Sequence, residues 1–491
     1  MAEGFVRQKR GMTPEEVAEE YFYELINRNL IQPSNVGVDE RIRSCRVHDI
    51  MRELLLAKSI EENLVFITGE QENMAPIDNF RHLAITRSNE IRTTNLHGIR
   101  SISSFHAKVP SVISPSKLKL VKILDMDDTT DVDDTESYKN FNRVIRHLGQ
   151  FKHLKYVYIP HGSDMTGLLN SLGNLRDLQT LITASLIKIM PKNIIKLQNL
   201  RHLLTAREYI GVAMPKGIGN LKQLQVLKWV DIGRSHRRVV EELALLRQLR
   251  KLGVENLRRE HYKKFSASIG QLSSLRSLKI TLAEDDEEAA ADFLDSVSSP
   301  PEHLRSIYFW GRIGKLPVWV SSLYNLAKVT LSYTRLDDAA IVVLQELPNL
   351  LLLNLRYDAY VGTRLTFRSA KFSKLKELRF SRLKNLEELV FEEGTLPELQ
   401  TLRLYNCELK SGISGAEHLP KLKKLELEYY VYAANLDEVQ KQVGEHPNRP
   451  ALEIEYPEYQ KEREDFYRGN TSSGPPAEDA SCSVTEEMEN S

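Results

Sequence analysis

Leucine returns along this chain on a fixed schedule, and that schedule limits the fold more than any other feature. The pattern L-x-x-L-x-x-L runs through Leu172, Leu175, Leu178 and Leu181, and again through Leu344, Leu347, Leu350 and Leu353. Taking one anchor per repeat gives Val157, Leu181, Leu203, Leu227, Leu252, Leu278, Ile307, Val329, Leu353, Leu378, Leu402, Leu425 and Leu452, separated by 22 to 29 residues. Leu83, Ile102 and Leu124 are weaker anchors ahead of them. A helix could use the i, i+3 steps, but not the closing L-x-L step nor a reset about every 24 residues. In a strand, L-x-L sends both leucines to one face and x to the other. One such unit cannot cover its own apolar face, so neighbours must stack and share a core.

That period belongs to leucine-rich repeats, and the predicted fold is an α/β solenoid with a curved parallel sheet. Three repeats carry an apolar residue before proline, at Met190-Pro191, Met214-Pro215 and Leu316-Pro317. The Asn or Cys that closes the strand turn is clear only at Cys407, which reads as a buried small hydrophobe. The acidic stretches Asp125 to Glu136 and Glu284 to Glu288 read as surface loops.

Residues 1–67 follow another grammar. Thr13-Pro14-Glu15-Glu16 starts a helix, with Thr13 as N-cap and Glu16 closing a capping box. Val17, Tyr21, Phe22, Leu25 and Ile26 form its apolar face, and two short strands flank a turn at Gly37. A second helix begins near Asp49. Helix, two-stranded wing and helix are the closing half of a winged-helix domain. The domains expected are therefore 1–67, a partial winged-helix segment; 68–457, the repeats; and 458–491, a disordered acidic tail.

Composition removes several function classes. Lys+Arg and Asp+Glu both total 67, so no overall basic field draws the chain to nucleic acid or anionic lipid. Three scattered cysteines fit neither a zinc site nor a disulfide framework, and no apolar run suits a signal peptide or membrane span. A cytoplasmic protein is expected. The 13 histidines form no ligand cluster, and the aspartates from Asp125 to Asp134 lack the Gly and terminal Glu of a calcium loop. No G-x-x-x-x-G-K-[ST] phosphate loop occurs, and Gly217-Ile218-Gly219-Asn220 reads as a turn. No catalytic set is complete, so an enzyme is not expected.

Certain runs resemble a known family. Glu19-Glu20-Tyr21-Phe22-Tyr23-Glu24-Leu25-Ile26-Asn27-Arg28, Cys45-Arg46-Val47-His48-Asp49-Ile50-Met51-Arg52-Glu53-Leu54 and Phe80-Arg81-His82-Leu83-Ala84-Ile85 are similar to stretches of plant intracellular immune receptors. The class is the nucleotide-binding leucine-rich-repeat (NLR) receptors, in particular the coiled-coil-type disease-resistance proteins of cereals. Val47-His48-Asp49 resembles the family's M-H-D motif. The resemblance implies that His48 would contact an ADP phosphate and Asp49 would hold the resting state, but only if a nucleotide-binding domain is supplied. Read without the family, Asp49 is an N-cap. With no phosphate loop, this chain by itself is expected to use neither ADP nor ATP.

Two functions follow. One is a defence-response module that acts by protein recognition or autoinhibition. Its partner would be a pathogen effector, a guarded host protein or another receptor domain, not nucleic acid or membrane. The other is one half of a P-loop nucleotide switch. For recognition, the outward x positions of the C-terminal strands are the candidates: Tyr308, Trp310, Arg356, Arg379, Arg403 and Tyr405. Aromatic and arginine side chains dominate binding hot spots. As surface residues, Arg379 and Arg403 are expected to tolerate reversal to Glu at about 0.5 kcal/mol, although Arg403 could instead simply pair with Glu426.

Overall fold

The computed structural model describes residues 1–7, 9–68, 80–86, 96–105, 113, 116–127, 142–159, 171–183, 187–205, 211–283, 291–428, 432–433 and 436–454. The chain divides into two compact units, Met1–Gln32 with Arg46–Leu275, and Pro33–Cys45 with Arg276–Ser491.

In the first unit, nine described strands from Val65–Ile67 to Lys251–Leu257 form a parallel ladder. Its register aligns Phe66, Leu83, Ile102, Leu124, Val157, Leu181, Leu203, Leu227 and Leu252. The weaker anchors are thus full members. The ladder also starts at Val65, inside the segment read as winged helix. Phe66 was missed because the next strand begins only at His82, a gap shorter than the period.

The second unit holds eight ladder strands, Ser277–Leu282 to Ala451–Ile454. They align Leu278, Ile307, Val329, Leu353, Leu378, Leu402, Leu425 and Leu452. Behind this ladder lies a three-stranded parallel sheet of Arg364–Phe367, Glu388–Phe391 and Gly412–Ser414, which the repeat pattern did not announce. Phe367 is its hub, stacked on Phe391 at 5.2 Å and tilted against Phe372 at 5.7 Å.

Most described repeats within each unit are stitched to the one before by a carbonyl that accepts two consecutive N–H groups. The Lys155 carbonyl takes Gln179 and Thr180, and the Gln400 carbonyl takes Lys423 and Lys424. Asparagines add a second stitch to the preceding repeat: Asn199, Asn325 and Asn349 donate side-chain N–H groups to the carbonyls of Arg176, Glu302 and Tyr324 at 2.9–3.2 Å. The prolines of two of the three apolar-Pro steps open 3₁₀ turns, Lys192–Lys196 and Val318–Ser322. Gly217, at φ +100°, precedes the turn Ile218–Asn220, so this glycine pair serves the backbone and not a phosphate.

Asp125 belongs to the strand Ile123–Asp127 and pairs in the ladder, so the first acidic stretch begins as strand and not as loop. Residues 128–136, 284–288 and the tail 458–491 lie outside the described residues.

Candidate functional site

Two features of the molecule project chemistry: the N-terminal segment laid against each ladder, and the ladder face of the second unit.

Helix α1, Pro14–Asn27, starts as the sequence reads. Thr13 caps it and accepts from the Glu16 N–H at 3.3 Å, while the Glu16 carboxylate accepts from the Thr13 N–H at 2.9 Å. Of its apolar face only Val17 is buried, and Leu25 is 42% exposed. Acidic side chains hold the helix to the first ladder. Arg201 donates to Glu15 at 2.9 Å and Arg250 to Glu16 at 3.3 Å. Burial acts to raise the Glu15 carboxyl, but its own backbone N–H and Arg201 outweigh that and hold it below the usual carboxylate range. Glu16 is held low by the Thr13 backbone first and by Arg250 after it.

The wing repeats this logic in the second unit. Strands β1, Gln32–Val36, and β2, Ile42–Arg46, pair around a turn closed by the Gly37 N–H on the Arg41 carbonyl at 2.8 Å. At its tip Asp39 lies 3.1 Å from Arg43 and 3.3 Å from Lys328, and Lys376 donates to Glu40 at 2.7 Å. Burial would raise Asp39, yet Lys328 and Arg43 hold it low. None of Arg201, Arg250, Lys328 or Lys376 was a sequence candidate. Their only signal is that each basic residue sits where a ladder strand begins.

Helix α2, Asp49–Glu61, corrects the reading of Asp49. Its N-cap is His48, without a side-chain cap bond, and Asp49 is the first helical residue. Both side chains are exposed. No residue of α2 is buried, and its apolar side is open, with Ile50 72%, Leu54 52% and Leu55 51% exposed.

On the second ladder, Tyr308, Thr330, Asn354, Arg379, Arg403 and Glu426 form one cross-strand row. Trp310, Ser332, Arg356, Ser381, Tyr405 and Glu428 form the next. All six recognition candidates therefore lie on one face, and Arg379 neighbours Arg403. Both arginines are engaged within the chain. Arg379 donates to Glu377 at 2.6 Å, and Arg403 donates to Glu426, which also takes Lys424. The Glu426 side chain is only 2% exposed. Burial alone would raise its carboxyl, but Lys424 and Arg403 keep it below the usual range.

Three residues that sequence reading missed complete this face. Trp310 stacks near Tyr308 at 6.4 Å and meets Tyr333 at 4.9 Å and Tyr357 at 5.6 Å. Tyr333 and Tyr357 lie parallel at 5.0 Å. The Arg382 guanidinium sits 5.3 Å over Tyr357 and 5.7 Å over Tyr405, and Arg356 sits 5.2 Å over Tyr357.

Among the described residues no group of three or more His, Cys, Asp or Glu could hold a metal ion, and no helix is long and apolar enough to cross a membrane. Cys407 is fully buried, and burial pushes its thiol up to about 11, which makes it a core residue and not a nucleophile.

Comparison with known proteins agrees with this geometry. The family described as leucine-rich repeat region matches residues 98–452, and that described as disease resistance protein winged helix domain matches residues 1–55. Disease resistance protein Pik-2 of Oryza sativa subsp. japonica is 25% identical across 87% of this chain and 47% of its own length. Disease resistance protein RPM1 of Arabidopsis thaliana is 30% identical across 87% of this chain and 46% of its own. The chain thus spans about half the length of the curated relatives it matches. A leucine-rich-repeat protein of Leptospira interrogans aligns over 81% of this chain and 98% of its own, at 18% identity and TM-score 0.42.

Proposed function

We propose, since the chain belongs to the plant disease-resistance family of winged-helix and leucine-rich-repeat proteins, that it acts in defence by binding proteins in the cytoplasm, through two coupled tasks. The C-terminal ladder recognises a protein partner, and the repeats hold the N-terminal segment in a resting position. The observation that carries the second task is the pairing of α1 carboxylates with ladder arginines, Glu15 with Arg201 and Glu16 with Arg250. Partly exposed ion pairs contribute about 0–1 kcal/mol each. With Val17 as the one buried residue of α1, the helix is held firmly enough to rest and weakly enough to be released by a partner. Pathogen effectors, guarded host proteins and other receptor domains all fit that role, and nothing in it requires catalysis.

Arg201→Glu with Arg250→Glu tests this. Like charges would then face Glu15 and Glu16, and backbone hydrogen exchange across Pro14–Asn27 should accelerate about tenfold or more while the strand Thr180–Thr183 keeps its protection. Acid should mimic the double variant. Both carboxyls are held below their unfolded values, so their contribution is present above about pH 4.3 and is lost as pH falls through the folded values. Unchanged protection of α1 relative to the intrinsic exchange rate, in the variant and at pH 3 alike, would remove the restraint from the proposal.

The open apolar side of α2 favours a second reading, in which a nucleotide-binding domain covers Ile50, Leu54 and Leu55 and His48 and Asp49 complete a P-loop switch. The chain alone should then still bind no ADP in calorimetric titration. ADP binding that appears only when a nucleotide-binding domain is added, and that His48→Ala abolishes, would make this the better reading.

A further inference from the structure

Five neighbouring strands of the second ladder are each followed by a left-handed residue: Gly311 at φ +116°, Tyr333 at +55°, Tyr357 at +50°, Arg382 at +53° and Asn406 at +50°. Glycine and asparagine occupy that region at little cost, whereas other L-residues lose roughly 1–2 kcal/mol there. Three consecutive repeats thus carry a bulky side chain where a small one would be more stable. Strain kept at a surface directs attention to what the side chains do.

Here they make one continuous strip. Trp310, Tyr333 and Tyr357 pack along the ladder, Tyr333 and Tyr357 within 7° of parallel, and Arg382 bridges Tyr357 to Tyr405. Tyr333 is 41% exposed, and Trp310, Tyr357, Arg382 and Tyr405 are partly exposed, so the strip is reachable from solvent. Ring faces are turned toward one another and toward guanidinium groups, so a ligand would meet the rings at their edges. Ring edges carry the positive end of the aromatic quadrupole. Stacking uses the face of a guanidinium, while its N–H donors lie in the plane and are the groups that fork a carboxylate. Lys279, 4.3 Å over the Tyr308 ring, adds a cation at the near end.

From this we propose that the strip Trp310–Tyr333–Tyr357–Arg382–Tyr405 is the docking line for an extended acidic peptide segment of the partner. Charge complementarity selects that occupant. Five strands spaced about 4.8 Å apart give a line of roughly 19 Å, the length of about six extended residues. A nucleic acid is the other polyanion with an affinity for aromatics, but it stacks on open ring faces, and here the faces of Tyr333 and Tyr357 meet each other. The inference rests on the reading that the C-terminal ladder recognises a protein. It uses none of the residues that hold α1, so either can fail without the other.

The test takes advantage of the strain. Tyr333→Asn with Tyr357→Asn replaces both rings by a residue suited to the left-handed region, so the melting temperature of the full chain should hold or rise. Three labelled probes are titrated by fluorescence anisotropy: a decapeptide alternating Glu or Asp with Phe or Tyr, the same peptide with Lys at every acidic position, and a ten-nucleotide oligothymidylate. The acidic peptide should bind the wild type, more tightly at low salt, and bind the double variant and Arg382→Glu at least tenfold more weakly. The lysine peptide and the oligonucleotide should not bind. Wild-type affinity in the double variant would overturn the proposal. So would no binding of the acidic peptide, equal binding of the lysine peptide, or tighter binding of the oligonucleotide. A melting temperature that falls by several degrees would show the rings to be a structural ladder and overturn it as well.

Discussion

Arg403→Glu is expected to destabilise the second unit by about 3 kcal/mol or more, well beyond an ordinary surface change. Glu426 explains why. Its side chain is 2% exposed, and it is kept ionised there by Arg403 and Lys424. The replacement removes one of two compensating cations and brings a second carboxylate against a buried one. Arg379 stands in a similar relation to Glu377, whose side chain is 8% exposed. The near-neutral charge reversal expected from the pattern of alternating residues is therefore corrected: both positions lie on the predicted face, but each neutralises a carboxylate that packing has taken out of water. Denaturant unfolding of Arg403→Glu and of Arg403→Glu with Glu426→Gln separates the causes. The second variant no longer buries an anion and should recover most of the loss. Stability of Arg403→Glu within about 0.5 kcal/mol of wild type would mean that water reaches Glu426 freely. It follows that a binding defect in an Arg379/Arg403 double reversal would not locate the partner surface, whereas Tyr333 and Tyr357 can be changed without burying a charge.

What was legible in the sequence follows from how each feature is encoded. The ladder is written by a local rule, an inward leucine at fixed spacing, and the thirteen anchors from Val157 to Leu452 fall into register within their units. The capping box at Thr13 is equally local. The clasp on α1 is not, because Glu15 meets Arg201 across 186 positions and Glu16 meets Arg250 across 234. No periodicity links such residues. The left-handed column is hidden for another reason. Backbone sign is readable when the residue is Gly or Asn, as at Gly311 and Asn406, and silent when it is Tyr or Arg. His48 and Asp49 were found through a family motif, and the structure leaves them exposed on an open helix start, so their role depends on what covers α2.

Leu355→Ala is expected to cost about 2–5 kcal/mol, and its effect should stay local. Leu355 is fully buried and pairs in register with Leu331 and Phe380. It lies between Asn354 and Arg356 on a strand that leads directly into Tyr357. Truncation leaves a cavity beneath the middle of the recognition strip. In a stacked array each repeat is stabilised chiefly by its immediate neighbours, so the damage should extend one repeat to either side. Hydrogen exchange should therefore accelerate in Lys328–Ser332, Leu352–Arg356 and Glu377–Ser381. The strands Ser277–Leu282 and Lys424–Glu428, two or more repeats away, should keep their protection. The footing of Arg356 and Tyr357 loosens with their strand, so acidic-peptide affinity should fall along with the local protection, even though no residue of the strip has been changed. Leu355→Met, which keeps the volume, should preserve both. If Leu355→Ala raised exchange equally in every strand of the unit, the repeats would be one cooperative block. Local recognition would then have to be explained by the strip residues alone, without any contribution from the stability of the repeat that carries them.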